Sequence, residues 1–171
     1  MPTPRHDLGV AVTLKAEALG VPGERRFRLV VEAQQGSATI WMEKEQLSVL
    51  ALSIKAAIAE LRQRLRDPAS ASPADAAGEP TFDFKAASLA LSLDETRGRF
   101  GILAATPEDA KANRATLIVW VDRDQAERMA DEALEIVAAG RPICPLCHGP
   151  IDPDGHLCPL HNGHGPVDEH L

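Results

Sequence analysis

The sequence predicts an α+β fold in which a β-β-β-α unit occurs twice, the copies related by a pseudo-twofold, with antiparallel sheets packed with two helices and a zinc-ribbon-like tail of different character behind them. Two observations lead there. The hydrophobic period changes from two to about 3.6 at two places, after Met42 and after Val121. At each change stands the same hexapeptide pattern: Trp41-Met-Glu-Lys-Glu-Gln46 and Trp120-Val-Asp-Arg-Asp-Gln125 match aromatic to aromatic, acid to acid, base to base and amide to amide.

The elements follow in order. Leu8, Val10, Val12 and Leu14 alternate with polar or small residues, as in a half-buried strand. Leu19-Gly-Val-Pro-Gly23 breaks the chain. Phe27, Leu29 and Val31 form a second strand, Gly36-Ser37 a tight turn, and Ala38 to Met42 a third strand. Leu47, Leu50, Ala51, Ile54, Ala57, Ile58 and Leu61 then share one helical face. After a Pro- and Ala-rich stretch the order restarts: Leu89, Leu91 and Leu93 alternate, Asp94 to Gly98 turn, and Phe100 to Ala104 return. A polar loop through Asn113 leads to Ala115–Val121 and to a helix from about Arg123 to Ala139. Asp122 with Gln125 three residues on is a capping-box variant, and Gly140 with Pro142 is a stop signal. The resulting division is a first lobe over 1–66, a linker over 67–81, a second lobe over 82–140 and the tail over 141–171. The two tryptophans are expected as core anchors at the strand-to-helix junctions.

Composition narrows the function classes. Net charge is −7 and there is no Tyr, which argues against a phosphate-binding basic face and a base-stacking platform. No apolar run approaches the length of a transmembrane helix, and the first residues lack the order of a signal peptide. A cytoplasmic location is expected, with no membrane and no nucleic acid as partners. The cysteines agree, since there are three and all fall between 144 and 158, unlike a secreted disulfide framework.

That cysteine-rich tail carries the chemistry. Cys144 and Cys147 have the C-x-x-C spacing that clamps one tetrahedral ion from a tight turn, and Cys158 adds a third thiol after the Asp152-Pro-Asp-Gly155 turn. His161, three residues after Cys158, mirrors the first clamp, and His156 lies two before it; spacing mildly favours His161. A redox C-x-x-C pair would open a helix, whereas prolines follow here. Three sulfurs and one nitrogen fill a tetrahedral site and leave no position for water, so one structural Zn2+ per chain is expected.

The chain resembles the domain-of-unknown-function 3090 family over nearly its whole length. The resemblance is carried by the Phe27-to-Glu32 strand, Glu43-Lys-Glu-Gln46, Ala139-Gly-Arg-Pro142, Cys144-Pro-Leu-Cys147, Pro150-Ile-Asp-Pro-Asp-Gly-His156, Cys158-Pro159 and Asn162-Gly163. The family keeps a histidine at the position of His156 and varies at that of His161. The resemblance therefore implies the ligand set Cys144, Cys147, His156 and Cys158, with His161 the alternative fourth ligand. It implies soluble bacterial proteins with a zinc-ribbon-like end and brings no activity.

No phosphate-cradling, dinucleotide-binding, nucleophile-elbow or H-E-x-x-H pattern is present in the sequence. Glu43 with Glu45, and Asp122 with Asp124, sit where caps and helix-dipole partners sit. The expectation is a non-enzymatic, zinc-binding interaction or regulatory module with a protein partner, as a monomer or weak dimer. An enzyme with a pocket between the lobes ranks second and a nucleic-acid-binding zinc module third.

Overall fold

In the computed structural model, residues 2–21, 23–64, 78–139, 144, 146–147 and 151 are described. The chain runs β1 (Thr3–Leu19), β2 (Arg26–Ala33), β3 (Gly36–Met42), α1 (Lys44–Arg64), β4 (Thr81–Lys85), β5 (Ser88–Asp94), β6 (Arg99–Ala105), α2 (Pro107–Lys111), β7 (Arg114–Val121) and α3 (Arg123–Ala138). The fold is α+β. Instead of antiparallel sheets with two helices, seven strands form one mixed sheet in the order β4-β3-β2-β1-β7-β6-β5, accompanied by three helices among the described residues; the parallel pairs, β1 with β7 and β3 with β4, join strands far apart in sequence, which local periodicity does not reveal.

β1 ties the halves of this sheet together. Its first part, Thr3 to Val10, pairs in parallel with β7, and from Ala11 onward it pairs antiparallel with β2. Register shifts mark the changeover on both sides, and Gly9 sits there at φ 71°. Glycine adopts that left-handed backbone at no steric cost. The strand expected over Leu8 to Leu14 is thus the middle of a 17-residue one. Its polar ends, His6-Asp7 and Lys15 to Glu17, hid the remainder.

Both long helices put one face into a common core. Leu47, Leu50, Ala51, Ile54 and Ile58 of α1 and Ala126, Met129, Ala130, Ala133 and Val137 of α3 are buried there. Strand residues such as Leu29, Ile40, Phe100 and Leu117 meet them. Each large aliphatic side chain contributes about 1.5–3 kcal/mol by leaving water, and the alanines of α3 let the helices approach. Lys55 reaches Asp131 at 2.6 Å and Arg62 reaches Glu127 at 2.8 Å across the helix pair. Being largely exposed, such pairs add only about 0–1 kcal/mol each.

The start of α3 is as the sequence reading has it. Gln125 N donates to Asp122 Oδ1 at 2.7 Å while Asp122 N donates to Gln125 Oε1 at 3.2 Å. At the other end Arg25 donates to the carbonyls of Ile136, at 3.2 Å, and of Ala139. A cation from the β1–β2 connection thus caps the helix C-terminus. The expected stop at Gly140 and Pro142 lies outside the described residues.

Three elements differ from expectation. The tight turn falls on Gln34-Gln35, leaving Gly36 and Ser37 inside β3. β4 was missed because its five residues follow directly on the Pro- and Ala-rich stretch; it pairs in parallel with β3, from Ser37 opposite Thr81 to Trp41 opposite Lys85. α2 lies within the expected polar loop, its start capped by Thr106 with Pro107 at the first turn. No helix among the described residues is long and apolar enough to cross a membrane.

Candidate metal centre

Four tail residues are described. Cys144 is fully buried at 0% and clusters with buried Ile151, while the half-buried Cys147 packs against both, apart from the main core. Between the two thiols Leu146 is 48% exposed. Leu146 and Cys147 lie in a turn, and a tight turn is the local geometry through which C-x-x-C thiols reach one ion. His156, Cys158 and the alternative His161 lie outside the described residues. Among the described residues no three His, Cys, Asp or Glu side chains gather as a metal-binding group.

The tryptophans stand elsewhere than expected. Ile40 and Met42 flank Trp41 and are buried, as Val119 and Val121 are around Trp120. A strand's alternation then sends each indole to the outer face of the sheet, where both are half-buried rather than core anchors. Trp41 Nε1 donates to Asp83 Oδ1 at 2.9 Å, and Trp120 Nε1 to Asp7 Oδ2 at 3.3 Å. The Arg26 and Arg28 guanidinium groups lie 5.4 and 5.2 Å from the Trp41 ring centroid, within cation–π range. Opposite Trp120 stands Gly101, where a Cβ would come within 3.0 Å of the indole Cζ3.

One carboxylate of each pair makes a structural contact. Asp122 caps α3, and Glu43 is paired with Lys85 at 2.5 Å. Gln46 and Gln125 repeat one arrangement. Gln46 accepts from Glu43 N at 2.9 Å and donates to the carbonyls of Ala86 and Ala87, both at 3.4 Å. Gln125 accepts from Asp122 N and donates to the carbonyls of Ala11 and Val12, at 3.0 and 3.4 Å.

The family model for the protein of unknown function DUF3090 matches residues 6–158. This chain belongs to the DUF3090 family. No curated protein and no solved structure gives a match. The DUF3090 span ends on Cys158, so it takes in Cys144, Cys147, His156 and Cys158 and leaves His161 beyond its end. Zinc fits the described part of that donor set. Thiolates are its preferred ligands, and Cys144 and Cys147 pack in one small cluster around Ile151.

The DUF3090 chain also holds one buried charge that sequence reading missed. Asp109 on α2 is only 2% exposed. The Thr116 hydroxyl donates to its Oδ2 at 2.7 Å, and Arg5 and Arg114 donate to Oδ1 at 3.2 and 3.3 Å. The Thr116 hydrogen bond, ahead of the two guanidinium groups, holds the carboxyl below its ordinary 3.8 against the upward push of burial. A depressed folded value contributes stability that is present above the unfolded value and is lost as pH falls through the folded one. Asp109→Asn should therefore lower the melting temperature at neutral pH, and the gap to wild type should close as both are taken below pH about 4. Thermal melts across that range check it; a gap that persists in acid would show that the carboxylate's charge is not what matters.

Proposed function

We propose that the tail folds around one structural zinc ion held by Cys144, Cys147, His156 and Cys158, and that the protein acts as a non-enzymatic interaction module. The observation that carries this reading is the small cluster of buried Cys144 and Ile151 with half-buried Cys147 packed against it, Leu146 standing exposed between the two thiols. Two cysteines three apart and packed together suit one ion, and a metal-held turn would present Leu146 to another protein on a fixed backbone. The family likeness of Pro150-Ile-Asp-Pro-Asp-Gly-His156 favours His156 over His161.

Elemental analysis of purified protein should find about one zinc per chain, as four ligands require. His156→Ala should lose more of it than His161→Ala. Leu146→Asp should keep its zinc but lose the proteins that co-purify with wild type. Metal-free, reduced protein with an ordered tail would overturn the zinc reading; unchanged co-purification in Leu146→Asp would overturn the docking reading alone.

We also infer that the two halves are copies related by a pseudo-twofold. The twin tryptophan–aspartate bonds and the twin glutamine bridges support this. In this register the first part of β1 corresponds to β4, its second part to β5, β2 to β6 and β3 to β7. His6 and Phe82, each one residue before its tryptophan-bound aspartate, touch with ring centroids 4.9 Å apart. Equivalent residues in mutual contact are what a twofold axis passing between them produces. The unit is thus longer by one parallel strand segment than β-β-β-α.

A further inference from the structure

Strand register sets which positions of the two halves correspond. Phe27 opposite Met42 answers to Phe100 opposite Val121, and Trp41 answers to Trp120. Leu29, Val31, Ile40, Ile102, Ala104 and Val119 join the main core with the helices, so their neighbours in the strands face the other way. On that outer face Lys15, Arg28, Val30, Glu32 and Thr39 of the first half correspond to Ala90, Gly101, Leu103, Ala105 and Ile118 of the second. Wherever the first set is charged, the second has alanine or glycine. The first set is what a water-facing side of a sheet looks like. Lys15 and Glu32 are exposed, and Val30 and Thr39 half-buried. In the second set Leu103 is only 2% and Ile118 only 5% exposed. Trp120 follows Ile118 as Trp41 follows Thr39, so the indole alone does not account for the difference. α2, which has no counterpart in the first half, sits at the Thr116 end of this face through Asp109. The cluster around Leu103 and Ile118 takes in Ala115, Ala90 and Trp120, all from the sheet itself, and no apolar residue of α2.

We propose that the tail, residues 140–171, lies across the outer face of β5, β6 and β7, with Ile143, Leu157 and Leu160 covering Leu103 and Ile118. These two side chains are out of water in the single chain, so the cover belongs to this chain and not to a partner. Two long stretches outside the described residues could supply it. Residues 65–77 offer one large apolar side chain, Leu65, directly after α1, and then only alanine, proline and polar residues. The tail offers more. Leu146 is exposed and Ile151 packs with Cys144 and Cys147, which leaves Ile143, Leu157 and Leu160 for the sheet. Ten extended residues already span about 33 Å, so a tail of this length reaches that face from the end of α3. The tail is then a ligand of the second half alone, and its release would turn Leu103, Ile118 and Ala90 into an apolar patch that another surface would cover. The proposal borrows the pseudo-twofold only to choose its control position, and it does not depend on the metal.

Photo-cross-linking in the full chain tests it. With Ala90 replaced by p-benzoylphenylalanine, irradiation and peptide mass spectrometry should find residue 90 joined to residues within 140–171. The same replacement of Lys15, its counterpart on the charged face, should give no cross-link to the tail. Zinc content is measured on the same samples, so a zinc-free chain that still joins residue 90 to the tail would uphold this placement while overturning the metal. Tryptophan fluorescence gives a second reading in case the bulky group at 90 disturbs its strand. In Trp41→Phe chains, where only Trp120 emits, the combined changes Ile143→Asp, Leu157→Asp and Leu160→Asp should shift emission to the red and strengthen acrylamide quenching. In Trp120→Phe chains the same three changes should leave Trp41 emission where it was. Cross-links from residue 90 to 65–77 or to a second chain overturn the proposal, as does a residue 15 that reaches the tail equally. So does Trp120 emission that ignores the tail changes, or Trp41 emission that shifts as much.

Discussion

If the tail folds around zinc as proposed, chelation of the intact protein should strip hydrogen-exchange protection from the chain after about Pro142 and leave α1 and α3 protected. The reason is the separateness of the two apolar clusters. Cys144, Cys147 and Ile151 pack with one another, while Leu47, Ile54, Ile58, Met129 and their neighbours form the main core without them. That core has several large side chains, each contributing about 1.5–3 kcal/mol. The tail has Ile143, Leu146, Ile151, Leu157 and Leu160 to set against the ordering entropy of its residues. Structural zinc supplies about 10–16 kcal/mol of apparent binding energy, which in such a module is its folding energy. Unfolding of the whole chain on chelation would mean that the tail is built into the core. Protection retained everywhere would make the ion dispensable for folding and return a regulatory or catalytic metal to consideration.

Gly36→Val should cost roughly 3–4 kcal/mol, near the upper end for a single substitution. Gly36 opens β3 at φ 139°, a backbone that a β-branched residue resists, and a Cβ there would run into the Pro80 carbonyl oxygen. The same oxygen accepts from Ser37 N at 2.9 Å, beside the first residues at which β4 joins β3. Relief of the clash therefore means pulling β4 away from the sheet. Gly23 provides the control, with φ 93° and nothing within 4 Å of an added Cβ. Gly23→Ala should lose only the backbone strain, about 1 kcal/mol. Urea unfolding of both variants checks this, and equal midpoints would show that the Pro80 contact yields easily.

What the sequence made legible was whatever rests on a long period or a local cap. The face of α1 from Leu47 to Ile58, the alternation of β2 and β6, and the Asp122–Gln125 box need only neighbours in sequence. The misses needed distant partners or stood on few residues. Phe82 and Phe84 do alternate with polar residues, but a five-residue strand after a Pro-rich run offers too few periods to stand out. Thr106-Pro-Glu-Asp109 has an N-cap, a first-turn proline and two acids, so α2 was available to a closer reading. Trp41 and Trp120 were misplaced by weighing size above parity, since their neighbours on either side are the inward residues. Asp109 could not have been found, because its partners Arg5 and Thr116 come from β1 and β7, which only the tertiary fold brings together. Of the candidate metal ligands, the spacing of the cysteines was plain from the start, and the choice of histidine rests on family resemblance.

The parallel pairing of Thr3 with Arg114 and of Val10 with Trp120 has a consequence for how the molecule is made. While the chain emerges from a ribosome, β1 can zip onto β2 at once, but the row of β1 that faces β7 stays open until residue 121 has cleared the exit. At about 5–20 residues per second that wait is on the order of ten seconds. For that interval the nascent chain carries a naked strand edge, the kind of surface to which other unfinished chains adhere. Slow translation should therefore favour aggregation of this protein, where for a helical bundle it would be harmless.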